Sequence, residues 1–194
     1  MNHHAAAALA IAITLVIFIP YLLAVWRRTL HPHVISWIIW GLTTMLVAGG
    51  QVLAGAGVGA APILLSGLLS SMVAILAVMR RQSGQLDVAV TRFDGWCLAV
   101  VLACIPIWLS TGDVLWSMIL LTGIDLIGFA PTVRVAWRHP QSESALLFLA
   151  FAVRNAVAVV AVESLHISTI VFPGVIGAAC LAMVMIILSR RMAI

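Results

Sequence analysis

A chain of 194 residues that is 64% hydrophobic and only 8% charged is not an ordinary soluble domain, where about a quarter of residues carry charge. Its mean hydropathy of +1.21 marks a membrane protein. There is no lysine, which excludes a retinal Schiff base. The arginines sit mainly in pairs at the ends of apolar runs, which is the pattern of topology signals and not of a nucleic-acid-binding face.

A spanning helix needs about 20 mostly apolar residues. Taken in order, seven segments meet or approach that length: Ala5–Val25, Val34–Leu53, Gly59–Met79, Gly95–Leu109, Val114–Val135, Ala145–Val162 and Thr169–Leu188. The first resembles a signal-peptide core. However, Met1 to His4 hold no basic residue and no small-residue cleavage site follows, so a retained helix is expected. The glycine-rich stretch Gly55–Gly59 has to turn, because one uninterrupted run there would exceed what a single helix can use. Span 4 carries Pro106 and is the shortest.

The arginines test this count. Arg27 and Arg28 follow span 1, and Arg80, Arg81 and Arg92 lie between spans 3 and 4. Arg134 and Arg138 end span 5, and Arg190 and Arg191 end span 7. With seven spans, all of these fall on one side, and only Arg154 lies elsewhere. The positive-inside rule makes that side the cytoplasm, with the N-terminus outside and the C-terminus inside. A multi-pass protein of a bacterial inner (plasma) membrane is expected, with the lipid bilayer as one partner and no nucleic acid as another.

One stretch occurs twice. Phe18-Ile19-Pro20 with Trp26-Arg27 matches Phe129-Ala130-Pro131 with Trp137-Arg138 at a constant offset of 111 (18 to 129). The same offset carries Pro62 onto Pro173, Met72 onto Met183 and Arg80 onto Arg191. Recurrence at a fixed offset reads as two copies of one unit. The expected architecture is all-α and transmembrane: residues 1–81 form a first triple-helix repeat, 82–112 a loop and linker helix, and 113–194 a second repeat. Four spans separate equivalent positions, so the repeats cross in parallel, related by an axis along the membrane normal.

A charge at the bilayer centre costs roughly 2.5–3.5 kcal/mol even on the lenient insertion scale, so Asp125 in span 5 and Arg154 in span 6 are the sharpest polar signal. They lie at similar depth and are expected to face inward and to meet. Two readings stand. One is a structural ion pair fixing how spans 5 and 6 pack. The other is a polar-substrate site, in which Arg154 holds an anionic group and Asp125 takes up a proton or holds an amino group. Trp37, Trp40, Thr44 and Gln51 share a face of span 2, and Phe148, Phe151 and Asn155 occupy matching places in span 6. Together they would make a pocket for a small polar solute. For Trp37 and Trp40 the alternative is an interfacial aromatic belt, the role expected of Trp26 and Trp137. Pro20, Pro131, Pro62 and Pro173 are candidate hinges, since proline removes a helical hydrogen bond and bends the helix. For Pro62 and Pro173, an ordinary place in a first helical turn is the alternative.

Other residues give less. His31, His33, His139 and His166 are expected to be solvated. Cys97, Cys104 and Cys180 read as small packing residues, with no disulfide and no metal site. No nucleophile–base–acid set appears, so neither an enzyme nor a cofactor is expected. Small residues such as Gly123 with Gly128 permit a homo-oligomer.

The three-plus-one-plus-three arrangement, with a proline closing the first helix of each repeat, resembles the PQ-loop and SWEET superfamily. The stretch from Pro131 through Trp137-Arg138 to the serines Ser142 and Ser144 is similar to that family's proline, short basic exit and serine-rich approach to the next helix. Where the family has glutamine after the proline, this chain has Tyr21 and Thr132. The resemblance implies hinge roles for Pro20 and Pro131. It also implies a transporter that moves a small polar solute, such as a sugar, amino acid or related metabolite, by alternating access through a midplane site. The expected site residues are Asp125, Arg154, Asn155, Trp40, Thr44, Gln51 and Phe151. The alternative is a non-transporting receptor or helper subunit.

Overall fold

A computed structural model of the chain describes residues 2–80, 90–110 and 112–193, with the side chains of Arg80 and Trp108 left aside. Arg81 of the arginine pattern lies outside the described residues. Seven α-helices follow one another, and there are no strands among the described residues. They are α1 (His3–Trp26), α2 (Val34–Leu53), α3 (Ala60–Arg80), α4 (Arg92–Ser110), α5 (Val114–Arg138), α6 (Ala145–Ala161) and α7 (Ile167–Met192). A single 3₁₀ turn, Gly57–Gly59, joins α2 to α3, where the glycine-rich stretch predicts a reversal.

The helix ends are set by local chemistry. The Asn2, Asp113 and Ser144 side chains accept from backbone N–H groups three residues on, at 2.7, 2.9 and 3.2 Å, and so cap α1, α5 and α6. Past α1, Arg28 adopts φ 60 while Thr29 N–H donates to Ala24 O at 2.9 Å. After α2, Gly55 adopts φ 80 while Ala56 N–H donates to Gln51 O at 2.9 Å. Both are left-handed helix stops. The second is cheap because glycine has no Cβ to clash.

Among the described residues, five stretches are long and apolar enough to cross a membrane: α1, α2, the 3₁₀ turn with α3, α5 and α7. Helix α6 is apolar but has 17 residues. The distribution of side chains is that of a protein in lipid. Val16, Ile75 and Met185 are exposed at 70%, 60% and 66%, whereas Asp125, Arg154 and Asn155 are buried at 2%, 3% and 0%. Apolar groups face out because lipid accepts them, and charged groups turn in because lipid does not.

Helix α3 packs against both α1 and α2, and α7 against both α5 and α6. Contacts of α1 with α6 and of α2 with α5 close the bundle, while α4 rests mainly on α5. Close approach of α2 to α3 depends on small residues. A Cβ on Gly41 would stand 2.7 Å from Ser71 Oγ, and one on Gly67 would stand 3.0 Å from the Met45 backbone.

Gly123 and Gly128 do not form one small-residue face. Five positions along a helix is about 140° around it. Gly123 is exposed with open space around it, whereas Gly128 is buried against Trp40.

Candidate functional site

Six aromatic rings converge where α1, α2, α5 and α6 meet. Phe18 of α1 lies 6.1 Å from Trp37 and 5.0 Å from Phe151. Phe129 of α5 lies 6.3 Å from Phe148 and 4.9 Å from Trp40. Trp37 and Trp40 are themselves 5.3 Å apart, edge to face. Trp37 is 1% exposed, so the belt reading is set aside for it. By contrast, Trp26 and Trp137 are half exposed at helix ends.

Five of these rings, all but Phe18, line a small cavity of about 30 Å³ that also reaches Thr44, Ser66, Ser70, Asp125, Arg154 and Asn155. That is room for about two water molecules. The Trp40 indole N–H donates to the backbone carbonyl of Asp125 at 3.2 Å and so fixes its ring against α5. Gly128 makes this possible, because a Cβ there would stand 2.7 Å from Trp40 Nε1.

Asp125 and Arg154 line this cavity together, but they do not meet. The ion pairs among the described residues that come within 4.0 Å both involve Asp94. Asp125 takes a hydrogen bond with the Thr43 hydroxyl of α2 instead. That hydroxyl also lies 2.8 Å from Ile39 O. It has one proton, so it can donate to an ionised Asp125 or accept from a protonated one while donating to Ile39. Arg154 donates from Nη2 to Ser66 Oγ of α3 at 3.0 Å and stands 5.7 Å over the Phe151 ring. Its Nε and Nη1, and both polar atoms of the Asn155 carboxamide, are buried without a hydrogen-bond partner. Buried polar atoms in this state are rare and costly.

Both ends of the bundle are tied by polar contacts. At the arginine-rich end, the Asp94 Oδ2 atom receives Thr91 N–H at 2.7 Å, Thr91 O–H at 2.8 Å and Arg134 Nη2 at 2.7 Å, with His33 Nε2 at 3.2 Å. Burial opposes its charge, but the Thr91 hydrogen bonds and then the His33 and Arg134 charges outweigh it and hold the carboxyl below its usual range. His33 is therefore a buried partner and not a solvated loop residue. Glu143, in the α5–α6 turn, is 1% exposed. Burial pushes its carboxyl up to about 8, against the pull of the His33 backbone N–H. Arg191 of α7 latches onto the same turn, donating to Glu143 O at 2.7 Å and Pro140 O at 3.1 Å.

At the opposite end, Pro173 lies beyond the first turn of α7. It has no N–H for the Thr169 carbonyl four residues back, and Gln51 Nε2 donates to that carbonyl at 3.1 Å. Gln51 is thus part of an end clamp and not of the cavity wall. Glu163 accepts from Val58 N–H at 3.1 Å and donates its own N–H to Ala56 O at 3.3 Å, tying the 3₁₀ turn to the end of α6.

The remaining expected site residues, Trp40, Thr44, Asp125, Phe151, Arg154 and Asn155, all line the one cavity. Of the candidate hinges, Pro20, Pro131 and Pro173 are inside helices, whereas Pro62 falls in the first turn of α3. Sequence reasoning missed Ser66 and Ser70. Their i, i+4 spacing in an otherwise apolar run was the available signal, since it puts two hydroxyls on one face. Asp94 was also missed, because its partners come from distant segments. No protein-family model matches this chain, and neither a curated protein nor a solved structure matches it.

Proposed function

We propose that the protein is a small membrane transporter that moves a small polar solute through the central cavity by alternating access between two triple-helix halves. The observation that carries this reading is a cavity at the junction of both halves, lined by Asp125, Arg154 and Asn155, in which Arg154 and Asn155 keep polar atoms that the fold does not use. A purely structural core satisfies its buried polar atoms, whereas a binding site keeps some for its ligand.

Internal correspondence supports the two-half architecture. Shifting Phe18 and Trp37 by 111 gives Phe129 and Phe148, and the ring separations are 6.1 and 6.3 Å. The Phe18–Phe151 contact at 5.0 Å corresponds to the contact of Phe129 with Trp40 at 4.9 Å, because Trp40 itself shifts onto Phe151. The α1–α3–α2 packing order likewise corresponds to α5–α7–α6. A PQ-loop or SWEET-like transporter, with a parallel repeat, an outside N-terminus and a cytoplasmic C-terminus in a bacterial plasma membrane, fits this pattern. The two ends of the bundle are tied by different polar clamps, and alternating access would release them one at a time.

The small volume of the cavity favours a second reading, a non-transporting receptor or helper subunit whose core is simply packed. Flux into liposomes carrying the purified protein separates the two. With sugars, amino acids and related metabolites as the panel, transport predicts saturable uptake of at least one, lost in Arg154→Gln and kept in the lipid-facing control Gly123→Ala. If no solute moves under any gradient, the second reading stands.

A further inference from the structure

We propose that the central cavity selects a small zwitterion, with its carboxylate held by Arg154 and Asn155 and its ammonium group held by Asp125. The inference rests on the cavity being the solute site. It begins from the failure of Asp125 and Arg154 to pair. Both are almost fully buried, both line one cavity, and their charged groups are more than 4.0 Å apart. Each has a hydroxyl contact from the other half instead, Asp125 with Thr43 and Arg154 with Ser66.

The unused hydrogen-bonding capacity identifies the ligand. On one side are three sets of donors without partners: Arg154 Nε, Arg154 Nη1 and the Asn155 Nδ2 amide group. An N–H of Arg154 and the amide N–H₂ of its neighbour Asn155, both in the cavity lining, supply one donor for each oxygen of a carboxylate. On the other side are acceptors, the Asp125 carboxylate and the Asn155 Oδ1 atom, which has no partner. With Asp125 ionised, Thr43 donates to it and its remaining lone pairs suit an ammonium group.

Charge balance then rules between solute classes. A carboxylate alone would leave Asp125 unpaired in a site removed from water, and an amine alone would leave Arg154 unpaired. An uncharged sugar would leave both unpaired. With Asp125 ionised, a solute carrying both charges is the class that gives each wall an opposing charge in contact, and an uncompensated buried charge is the costly alternative. The cavity has room for only about two waters, so binding includes displacement of the aromatic rings. Trp37 and Trp40 lie in that lining and will report it.

The test uses tryptophan fluorescence of the purified full-length protein in detergent, followed by liposome flux with the same solutes. The zwitterion arm is the common L-amino acids, β-alanine and glycine betaine. The matched single-charge probes are propionate and ethylamine, and glucose is the uncharged probe. The expected result is saturable binding and flux of a zwitterion, with propionate, ethylamine and glucose weaker by about 10- to 100-fold, the range of one charged hydrogen-bonded contact. Asp125→Asn should then raise propionate relative to the zwitterion, because Arg154 is left with no opposing charge. Arg154→Lys should keep the zwitterion preference at lower affinity, which a merely structural arginine would not do. If glucose or a single-charge probe binds as well as every zwitterion, or Asp125→Asn leaves the preference unchanged, the zwitterion assignment is overturned while transport stands. Zwitterion binding without flux upholds the assignment and overturns transport. If nothing binds and nothing moves, both fall.

Discussion

Gly128→Ala is the smallest change that reaches the cavity wall. The added Cβ would lie 2.7 Å from Trp40 Nε1, 2.8 Å from Trp40 Cδ1 and 3.0 Å from Ile39 Cγ2. These atoms are not the free end of a flexible chain. The indole is held by its bond to Asp125 O at 3.2 Å and by the Phe129 ring 4.9 Å away. Overpacking a filled site costs about 1–3 kcal/mol, and the displaced indole loses a hydrogen bond worth about 0.5–1.5 kcal/mol. The better helix propensity of alanine returns up to about 1 kcal/mol. The net is a loss of roughly 0.5–4.5 kcal/mol, or about 1–18 °C in Tm for a chain of this size. Gly123→Ala on the same helix meets nothing within 4 Å and should keep or slightly raise Tm. Thermal melts in detergent, followed by tryptophan fluorescence, compare the two. If Gly128→Ala melts with Gly123→Ala, the packing of Trp40 on α5 is not as described.

Two further substitutions address the polar groups. Thr43→Val removes the hydroxyl that Asp125 uses and should cost about 1–3 kcal/mol, the penalty for orphaning a buried polar group. Thr43→Ser should restore most of the loss in the same melts. Glu143 has its carboxyl raised from 4.5 to about 8, so the folded state retains a proton that the unfolded chain gives up. Stability from this group is greatest below about pH 4.5 and falls as pH rises to about 8, by on the order of a few kcal/mol. Melts across pH 5–8 should therefore show Glu143→Gln flattening that decline. Asp94 has the opposite sign. Its depressed carboxyl stabilises the fold above its usual titration range and loses that contribution as pH falls below about 4, so Asp94→Asn should flatten only the acid limb.

The fold was legible where long-range and local signals agreed. Val34–Leu53 was bounded by His33 and the glycine turn on hydropathy alone, and α2 has those ends. Asp125 and Arg154 stood out because charge inside an apolar run is expensive, and both proved buried at one cavity. The expectation that they meet each other was wrong, and their actual partnering was not legible. It depended on Thr43 and Ser66, whose hydroxyls are unremarkable in sequence and reach the charges only when α2 and α3 are packed on α5 and α6. His33 failed for a related reason. A histidine in a short loop reads as solvated until Asp94, from a helix start some sixty positions away (33 to 94), is folded over it. Gln51 was placed on the right face of α2 but at the wrong depth, because only the missing N–H of Pro173 made the Thr169 carbonyl available to it.

Cys180 offers the most direct test of alternating access, since it lines the cavity and is 1% exposed. With Cys97 and Cys104 replaced by serine, it is the remaining thiol in the chain. A membrane-impermeant methanethiosulfonate reagent is applied to right-side-out and then to inside-out vesicles. Alternating access predicts that Cys180 is labelled from both sides, and more slowly when a transported solute is present. Labelling from one side only, or from neither, contradicts it.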